Sequence, residues 1–249
     1  MNPILFSLLL IVIKFGASHK TNNFMNKDIL SPFLENNVEI RRKNRLSHKY
    51  YEVFNTDKNS HPSHSIDSFA KTLYSNTYIG HKITITNGLK MLSLLEPKHH
   101  GGCKKQQLAT VKESSKQREC LAAVSAGFFN ENTGQCFGNL ISDGDTVNQF
   151  QGLKSANFGI REDGSIVVGY LKENDLSEMR HSLKQLITGV GWILRNGDDN
   201  LAESLKHEQC NLDNLQRFFQ AKAARTFLGH DSLGKIHIIQ IEGKTGTQG

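Results

Sequence analysis

Alternation of hydrophobic and polar residues is the dominant pattern from about residue 81 onward. In HKITITNG, isoleucine alternates with threonine before the pattern ends at Asn87-Gly88. In SLGKIHIIQIEG, alternation returns from Ile236 to Ile241. A period of two residues predicts a half-buried strand, and Asn-Gly is a turn signal. We therefore predict strands at both places.

Two further turn signals predict hairpins in the same region. Asp163-Gly164 separates NFGIRE from SIVVGYL, and Asn196-Gly197 follows the apolar run GVGWIL. Such dipeptides adopt the tight turns that join antiparallel strands. The apolar run CLAAVSAGFF, residues 120–129, fits a buried strand, although its alanines leave a helix open.

Helical spacing occurs in two segments. ENDLSEMRHSLKQLI, residues 173–187, and NLDNLQRFFQAKAA, residues 211–224, place apolar residues three to four apart. Because strand patterns outnumber helical ones, we predict a β-rich α+β domain over residues 81–249. Residues 19–80 are polar with scattered apolar positions, and this pattern predicts an irregular arm.

The chain begins with an apolar run. Residues 4–13 read ILFSLLLIVI, and the small residues Gly16 and Ser18 follow at the spacing of a signal-peptide cleavage site. A bilayer span needs about 20 apolar residues, more than this run provides. We predict a signal peptide over residues 1–18, with a buried terminal helix as the alternative. Since no second run of spanning length follows, we expect a lumenal or secreted product without a transmembrane segment.

The basic run RRKNR, residues 41–45, has two interpretations. It is a solvated charge run, or it presents the spaced basic side chains that processing proteases recognise. We hypothesise cleavage after Arg45, which makes part of residues 19–80 a pro-segment. N-terminal sequencing of the secreted protein that begins at Ser18 or His19 alone would contradict this.

Composition excludes some classes of protein. The chain has 249 residues, 37% of them hydrophobic, and a formal net charge of +6. It is long enough for a substantial core, and it has neither a basic patch with a recognisable motif nor any other sign of nucleic-acid binding.

The four cysteines also inform the chemistry. Cys103, Cys120, Cys136 and Cys210 are widely spaced, which argues against a zinc ribbon, and an even set in an oxidising lumen tends to pair. HHGGC, residues 99–103, has metal-binding residue types but no second ligand cluster, so a loop that carries a disulfide is favoured. We expect no metal and no cofactor.

Five blocks of sequence carry a resemblance. In chain order they are ITITNGLKMLSLLEPKHHGGC, AGFFNENTGQCFGNLISDG, GLKSANFGIREDGSIVVGYL, GVGWILRNG and ARTFLGHDSLGKIHIIQIEG. Together they resemble the phosphodiester glycosidase family. The resemblance implies a Golgi-lumenal hydrolase that removes N-acetylglucosamine from phosphodiesters and uncovers mannose 6-phosphate on lysosomal enzymes. Its partners would be phosphoglycans on lysosomal glycoproteins, and a homo-oligomer is possible.

Such a reaction needs a cation for the phosphate, a carboxylate near the anomeric carbon and donors for sugar hydroxyls. With the resemblance, Arg225 is the candidate phosphate contact and Thr226 lies beside it; a surface arginine is the alternative. The other expected substrate contacts are Asn130, Asn139, Asn157, Phe129 and Gly138. On pattern alone, both phenylalanines of the Phe128-Phe129 pair belong to the core and Asn130 is a turn residue.

Candidates for the catalytic groups lie near the last strand pattern. Glu242 is the preferred carboxylate and Asp231 the second. His230 is either a surface residue at a strand end or a proton-transfer group. Arg195 is a hairpin tip or a site residue, and both interpretations stay open.

The resemblance also implies a disulfide between Cys103 and Cys136, with Cys120 either free or paired with Cys210. Two other classes stay in view. A non-catalytic phosphosugar- or glycan-binding protein would use the same arginine and amides. A Cys–His hydrolase built on Cys136 and His230 has no supporting motif, and a disulfide would remove its nucleophile.

Relatives continue beyond the equivalent of Gly249 through a helix and a strand that ends in an Asp-Gly-Gly-Gly-Ser type loop. We therefore expect the domain to be incomplete at its C-terminus, with weak folding and little hydrolysis for residues 1–249 alone. Expression of the chain with its signal, followed by an assay of N-acetylglucosamine release, tests this. Turnover near that of a full-length relative would contradict it.

Overall fold

A computed structural model describes residues 9–13, 45–47, 50–73, 76–149, 154–208, 218, 219, 221 and 223–243. Strands dominate this part of the chain. They are β1 (Leu9–Ile13), β2 (Arg45–Ser47), β3 (Tyr51–Phe54), β4 (His64–Leu73), β5 (Asn76–Ile85), β6 (Leu92–Leu95), β7 (Ala122–Ala126), β8 (Phe128–Phe129), β9 (Cys136–Phe137), β10 (Leu140–Ser142), β11 (Asp145–Asn148), β12 (Ala156–Arg161), β13 (Ile166–Tyr170), β14 (Leu183–Thr188), β15 (Leu194–Arg195), β16 (Asp198–Asp199), β17 (Arg225–His230) and β18 (Ile236–Ile241).

Helices with described ends are few and have at most seven residues. They are α1 (Gly88–Met91), α2 (Val111–Ser115), α3 (Glu173–Met179) and α4 (Leu201–His207). The α+β class therefore overstates the helical content, and the described chain is mostly β-sheet with short helices.

The predicted helix over residues 173–187 is helical only in its first half. After α3 comes a 3-10 turn, Arg180–Ser182, and then strand β14. Leu183 and Leu186, which match a helical spacing, are fully buried within the sheet instead. Tertiary pairing outweighs local propensity here, because β14 forms ladders with two neighbouring strands. Most of the second predicted helix, residues 211–224, lies outside the described residues.

Seven strands form the largest sheet, in the order β11-β10-β14-β12-β13-β3-β2. The hairpin predicted at Asp163-Gly164 is confirmed, since β12 and β13 pair from Ala156 opposite Tyr170 to Ile160 opposite Ile166. The second predicted hairpin is confirmed too. Asn196 and Gly197 have φ of 60° and 86° and join β15 to β16.

Both alternating runs are confirmed as strands of a four-stranded sheet, in the order β17-β18-β5-β4. Strand β18 lies between β17 and β5 and pairs with both along its whole length. Asn87 does not form a hairpin turn after β5. Its side chain instead accepts a hydrogen bond from the N–H of Lys90, 3.1 Å away, and so begins helix α1.

The sheets share one apolar core. Ile85 and Ile238 from the four-stranded sheet and Ile160 from the seven-stranded sheet are completely buried in the same cluster. Leu94 of β6 and Val124 of β7 belong to it as well. Burial of such side chains is the main favourable contribution to folding. This packing therefore fixes the two sheets relative to each other.

The expected signal peptide includes a strand of a third sheet, which has the order β6-β1-β7. Strand β1, Leu9–Ile13, pairs antiparallel with β6 on one side and with β7 on the other. Removal of residues 1–18 would therefore leave the inner edges of β6 and β7 unpaired, unless another strand takes this place. Cleavage of the signal peptide stays a prediction.

The arm predicted for residues 19–80 contains the regular strands β2, β3 and β4 and the start of β5, so it is not irregular throughout. Strand β3 pairs with β13, and its Val53 and Phe54 are buried. Strand β4 pairs along its ten residues with β5, which begins at Asn76 and crosses the predicted boundary at residue 81. Strand β4 and the first residues of β5 are largely exposed, so they need few apolar residues, and the sequence pattern missed them although it predicted the second half of β5. Residues 14–44 lie outside the described chain, and cleavage after Arg45 stays a prediction.

The expected disulfide is confirmed. Cys103 and Cys136 are joined with a Cα–Cα distance of 5.4 Å, which ties the loop after β6 to strand β9. Glu96 supports the same loop by accepting hydrogen bonds from the N–H groups of Gly101 and Cys103, at 2.7 and 3.0 Å. Cys120 is a free thiol among the described residues, and burial raises its pKa. Cys210 lies outside the described residues.

We predict that the paired substitutions Cys103→Ala and Cys136→Ala lower the free energy of unfolding by about 3–4 kcal/mol, because the bridge closes a 33-residue separation. Urea unfolding under non-reducing conditions measures this. Cys120→Ala is the matched control and should change stability far less. Equal stability of the double variant and the wild type would contradict the prediction.

We also predict that deletion of residues 1–18 lowers the urea midpoint of the chain, since the deletion removes both ladders of β1. The comparison uses protein refolded with and without these residues. An unchanged midpoint would show that β1 adds nothing to the stability of the third sheet.

Candidate active site

The segment that follows β14 is the centre of the candidate site. Thr188 ends β14, and Gly189 continues the sheet with an N–H bond of 2.7 Å to the carbonyl of Ala156. Gly191 has φ of +86°, and a Cβ at this position would lie 2.5 Å from the ring of Phe219. Only glycine therefore allows this backbone to pass so close to the aromatic ring. We call residues 189–192 the site segment.

Three polar side chains, Asn139, Asn157 and Thr188, form a buried cluster beside the site segment; we call it the amide cluster. Thr188 Oγ1 donates to Asn157 Oδ1 at 2.8 Å and accepts from the N–H of Asn139 at 2.7 Å. Asn139 Nδ2 lies 3.3 Å from the same Asn157 oxygen. Gly138 has φ of +75°, and a Cβ there would lie 2.5 Å from Thr188. The structure thus brings together three of the expected sugar contacts, Gly138, Asn139 and Asn157.

The two buried amides have a structural role. Asn139 and Asn157 are 7% and 3% exposed, and the Nδ2 group of Asn157 also donates to the carbonyls of Ser155 and Gly169. These bonds fix the end of the seven-stranded sheet on which the site segment begins. Direct contact of these amides with a sugar stays a prediction.

Arg225 is connected to the site segment through Phe218, which it contacts, and Phe219, whose ring lies against Gly191. Its guanidinium donates to the carbonyls of Ala224, Phe218 and Ala221 at 3.0, 2.8 and 2.9 Å. It also lies 4.6 Å from the centroid of the Phe218 ring. Among the described residues, three of its five N–H donors thus have partners. Burial lowers the pKa of Arg225, but the group keeps its charge at physiological pH.

The aromatic pair is divided between core and site, in the opposite sense to our expectation. Phe129 is 4% exposed, whereas Phe128 is half-buried and its ring meets that of Phe218 edge to face at 5.8 Å. Successive residues of a strand point to opposite faces, so only one of the two rings can face the site. Phe128 is the ring on the side of Phe218, and contact of the buried Phe129 with a ligand stays a prediction.

Asn130 is a turn residue in the structure, as the sequence pattern alone predicts. Its Oδ1 accepts from the N–H groups of Asn132 and Thr133 at 2.9 and 3.1 Å. This is the bonding of an asparagine that stabilises a tight turn.

Thr226 and Glu242 lie on the face of the four-stranded sheet opposite to Arg225. Thr226 pairs with Gln240, which pairs on its other side with His81, so the three share one face. The carboxylate of Glu242 lies 3.2 Å from Nε2 of His81 and is half-exposed. Arg225 and Glu242 are thus at the same end of the sheet, but their side chains do not meet.

His230 ends β17, about 16 Å from Arg225 by the rise of a strand, and Asp231 follows it directly. Asp231 Oδ1 accepts from the N–H groups of Leu233 and Lys235, each at 2.9 Å, and Oδ2 lies 3.0 Å from His237 Nε2. Burial raises the pKa of Asp231, but the bonds from His237 and the backbone outweigh it, and the net pKa is lower than usual.

His230 is held close to Asp231. Its Nδ1 donates to the Asp231 carbonyl at 2.9 Å, and its ring lies 4.8 Å from that of Phe54. Burial lowers the pKa of His230, so the ring is neutral at pH 7. The three expected catalytic groups do not converge on Arg225 in this structure, and their roles stay predictions.

Glu208 is a buried carboxylate that sequence reasoning missed. It is 6% exposed, directly after α4, and accepts from the N–H of Gly191 at 3.0 Å and from Ser204 Oγ at 2.7 Å. Burial raises its pKa, against the opposing effect of these donors. Tyr170 donates to the same carboxylate at 3.3 Å, and burial raises the pKa of its hydroxyl to about 12. The sequence around Glu208 has no spacing that distinguishes this carboxylate from exposed ones.

Arg195 also has a structural role. Its Nε donates to Glu52 Oε1 at 2.9 Å, and its guanidinium lies 4.6 Å from the centroid of the Trp192 ring. It therefore fixes the β15–β16 hairpin and Trp192, as the hairpin interpretation expects.

Neither metal-binding clusters nor helices long and apolar enough to cross a membrane occur within the described residues.

Known proteins similar to this chain give the family. The family model described as phosphodiester glycosidase matches residues 118–249, more than half of the chain. N-acetylglucosamine-1-phosphodiester alpha-N-acetylglucosaminidase from Bos taurus is 35% identical over 188 residues, which cover 74% of this chain and 36% of the relative. The Homo sapiens protein of the same name is 34% identical over 189 residues, with the same coverage. The chain thus spans about a third of the length of these relatives.

A solved structure agrees with these relatives. It is the zebrafish catalytic domain of the same name, described as auto-inhibited by pro-peptide. It is 33% identical, has a TM-score of 0.73, and the match covers 89% of this chain and 78% of that one. With a family model over more than half of its residues and a fold shared at this identity, the chain belongs to the phosphodiester glycosidase family.

Proposed function

We propose that the protein hydrolyses the bond between N-acetylglucosamine and phosphate in α-N-acetylglucosamine-1-phosphodiesters. The observation that carries this is the 35% identity to relatives named for this reaction, over a stretch that covers 74% of the chain. Its substrates would be phosphoglycans on lysosomal glycoproteins, and the product would be uncovered mannose 6-phosphate.

The geometry around the site segment supports this reaction. Cleavage at the anomeric carbon separates a sugar with developing positive charge from a phosphate, so the protein must bind both parts at a fixed spacing. Arg225 supplies a cation on one side of the site segment, and the amide cluster fixes the sheet end on the other. We assign Arg225 to the phosphate, because a guanidinium can bind two phosphate oxygens at once.

The compartment follows from the same proposal. A disulfide between Cys103 and Cys136 suits an oxidising lumen, and the apolar first residues suit targeting to the secretory pathway. We place the protein in the Golgi lumen or outside the cell. A zebrafish relative is described as auto-inhibited by its pro-peptide, which supports a pro-segment upstream of Arg45 here.

We predict that Arg225→Lys lowers the rate of N-acetylglucosamine release at least about tenfold, because lysine cannot bind two phosphate oxygens in one plane. The assay uses the whole chain and a phosphodiester of N-acetylglucosamine. Arg180→Lys is the matched control, since Arg180 makes an exposed bond to Thr146 and should keep its rate.

Arg225 also bonds three backbone carbonyls, so the melting temperature of each variant is measured beside its rate. Loss of rate with a melting temperature within a few degrees of wild type supports the phosphate role. A rate within about twofold of wild type would refute it.

A further inference from the structure

The carboxylate of Glu208 binds the backbone of the site segment. Both oxygens of its carboxylate lie 3.0 Å from the N–H of Gly191, and Oε1 also accepts from the N–H of Trp192 at 3.2 Å. Ser204 joins the two partners, because its Oγ accepts from the N–H of Trp192 at 2.9 Å and donates to Glu208 at 2.7 Å. One buried carboxylate thus binds two successive backbone N–H groups of the segment.

Neighbouring groups hold the Glu208 carboxylate in place. It follows directly on α4, and its backbone N–H donates to the carbonyl of Ser204 at 2.9 Å. Tyr170 donates to the carboxylate and packs its ring edge to face against Trp192 at 5.8 Å. A buried carboxylate is stable only while such donors stay in position, so any movement of the site segment carries a large energetic cost.

The site segment connects the two sides of the candidate site. At its start, Thr188 is bonded to both asparagines of the amide cluster. At Gly191 it lies against the ring of Phe219, whose neighbour Phe218 bonds and stacks with Arg225. The distance between the two sides therefore depends on the conformation of residues 189–192.

This segment has little intrinsic stiffness. Two of its four residues are glycines, which lose more backbone entropy on ordering than any other residue. Helical or sheet bonds do not fix Gly191 and Trp192; the bonds described for their N–H groups go to Glu208 and Ser204. We call the bonds from these N–H groups to Glu208 and Ser204 the clamp. The clamp takes the place of the regular sheet bonds, which end at Gly189.

We propose that Glu208 is a positioning residue that sets the spacing between the sugar-binding and phosphate-binding sides of the site. The inference rests on the proposed function, because it takes a sugar 1-phosphate as the ligand that spans both sides. A ligand of this kind has a fixed distance between its sugar ring and its phosphate. A segment that moves would misplace one side relative to the other, although each side would keep its own groups.

The test measures the affinity of the whole chain for three probes by titration calorimetry. N-acetylglucosamine 1-phosphate spans both sides, N-acetylglucosamine binds only the sugar side, and inorganic phosphate binds only the phosphate side. Glu208→Gln keeps the side-chain volume but turns an accepting oxygen into a donor that faces the N–H of Gly191. Glu203→Gln is the matched control, because Glu203 lies on the same helix, is exposed and contacts Lys206 instead.

In Glu208→Gln, we expect the affinity for N-acetylglucosamine 1-phosphate to fall at least about tenfold, while the two smaller probes stay within about twofold. Glu203→Gln should leave all three unchanged. If Glu208→Gln does not fold, Glu208→Asp provides the measurement, because it keeps the charge but withdraws the carboxylate from Gly191. We expect the same selective loss, smaller in size.

Two results would overturn the proposal. An equal loss for all three probes would show that Glu208 only stabilises the fold, and unchanged affinities would show that the clamp has no effect on spacing. A wild-type chain that binds none of the three probes would instead overturn the proposed function, and with it the positioning role. The behaviour of the wild type therefore separates the two failures.

Discussion

The structure depends on one packing constraint, the burial of isoleucines from two sheets against each other. Ile85 and Ile238 of the four-stranded sheet and Ile160 of the seven-stranded sheet have no exposed surface and belong to one cluster. Close-packed interiors resist small displacements, so this cluster fixes the two sheets relative to each other. Residues at the ends of the strands are positioned by this packing.

The candidate site is built at such an end. β14 and β12 of one sheet carry Thr188 and Asn157, and Asn139 directly precedes β10 of the same sheet. β17 of the other sheet begins with Arg225. Neither sheet alone contains both, so the spacing across the site depends on the core between them and on the site segment above it. The disulfide adds a third constraint, because it holds strand β9 next to the loop after β6. Rigid sheets carry the functional side chains, and a short glycine-containing segment connects them.

Sequence patterns predicted the elements that depend on local information. Strand β18 and the β12–β13 hairpin were readable because alternation and a turn dipeptide occur within a few residues of each other. Strand β14 was not, since Leu183 and Leu186 fit a helix equally well and only pairing with β10 and β12 decides between them. Strand β4 and the start of β5 were not predicted, because exposed strands need little apolar surface.

The chemistry of the site was harder to predict than the fold. The resemblance pointed to Gly138, Asn139 and Asn157, and the structure brings these three together. It could not reveal that Asp231 holds the β17–β18 turn, since this depends on bonds to His237 and to two backbone N–H groups. The role of Glu208 could not be predicted from the sequence. Its partners come from β13, the site segment and α4, which are far apart in the chain.

The first residues show why a local pattern can support two structures at once. LLIVI is apolar and ends in three β-branched residues, which suits both the core of a signal peptide and a strand bonded on both sides. The same free energy of transfer from water drives either outcome. A folded chain that loses this strand exposes the inner edges of β6 and β7, next to core residues such as Leu94 and Val124. If residues 1–18 are removed, another strand would have to complete the third sheet, because an open pair of strand edges beside an apolar core pairs readily with other chains.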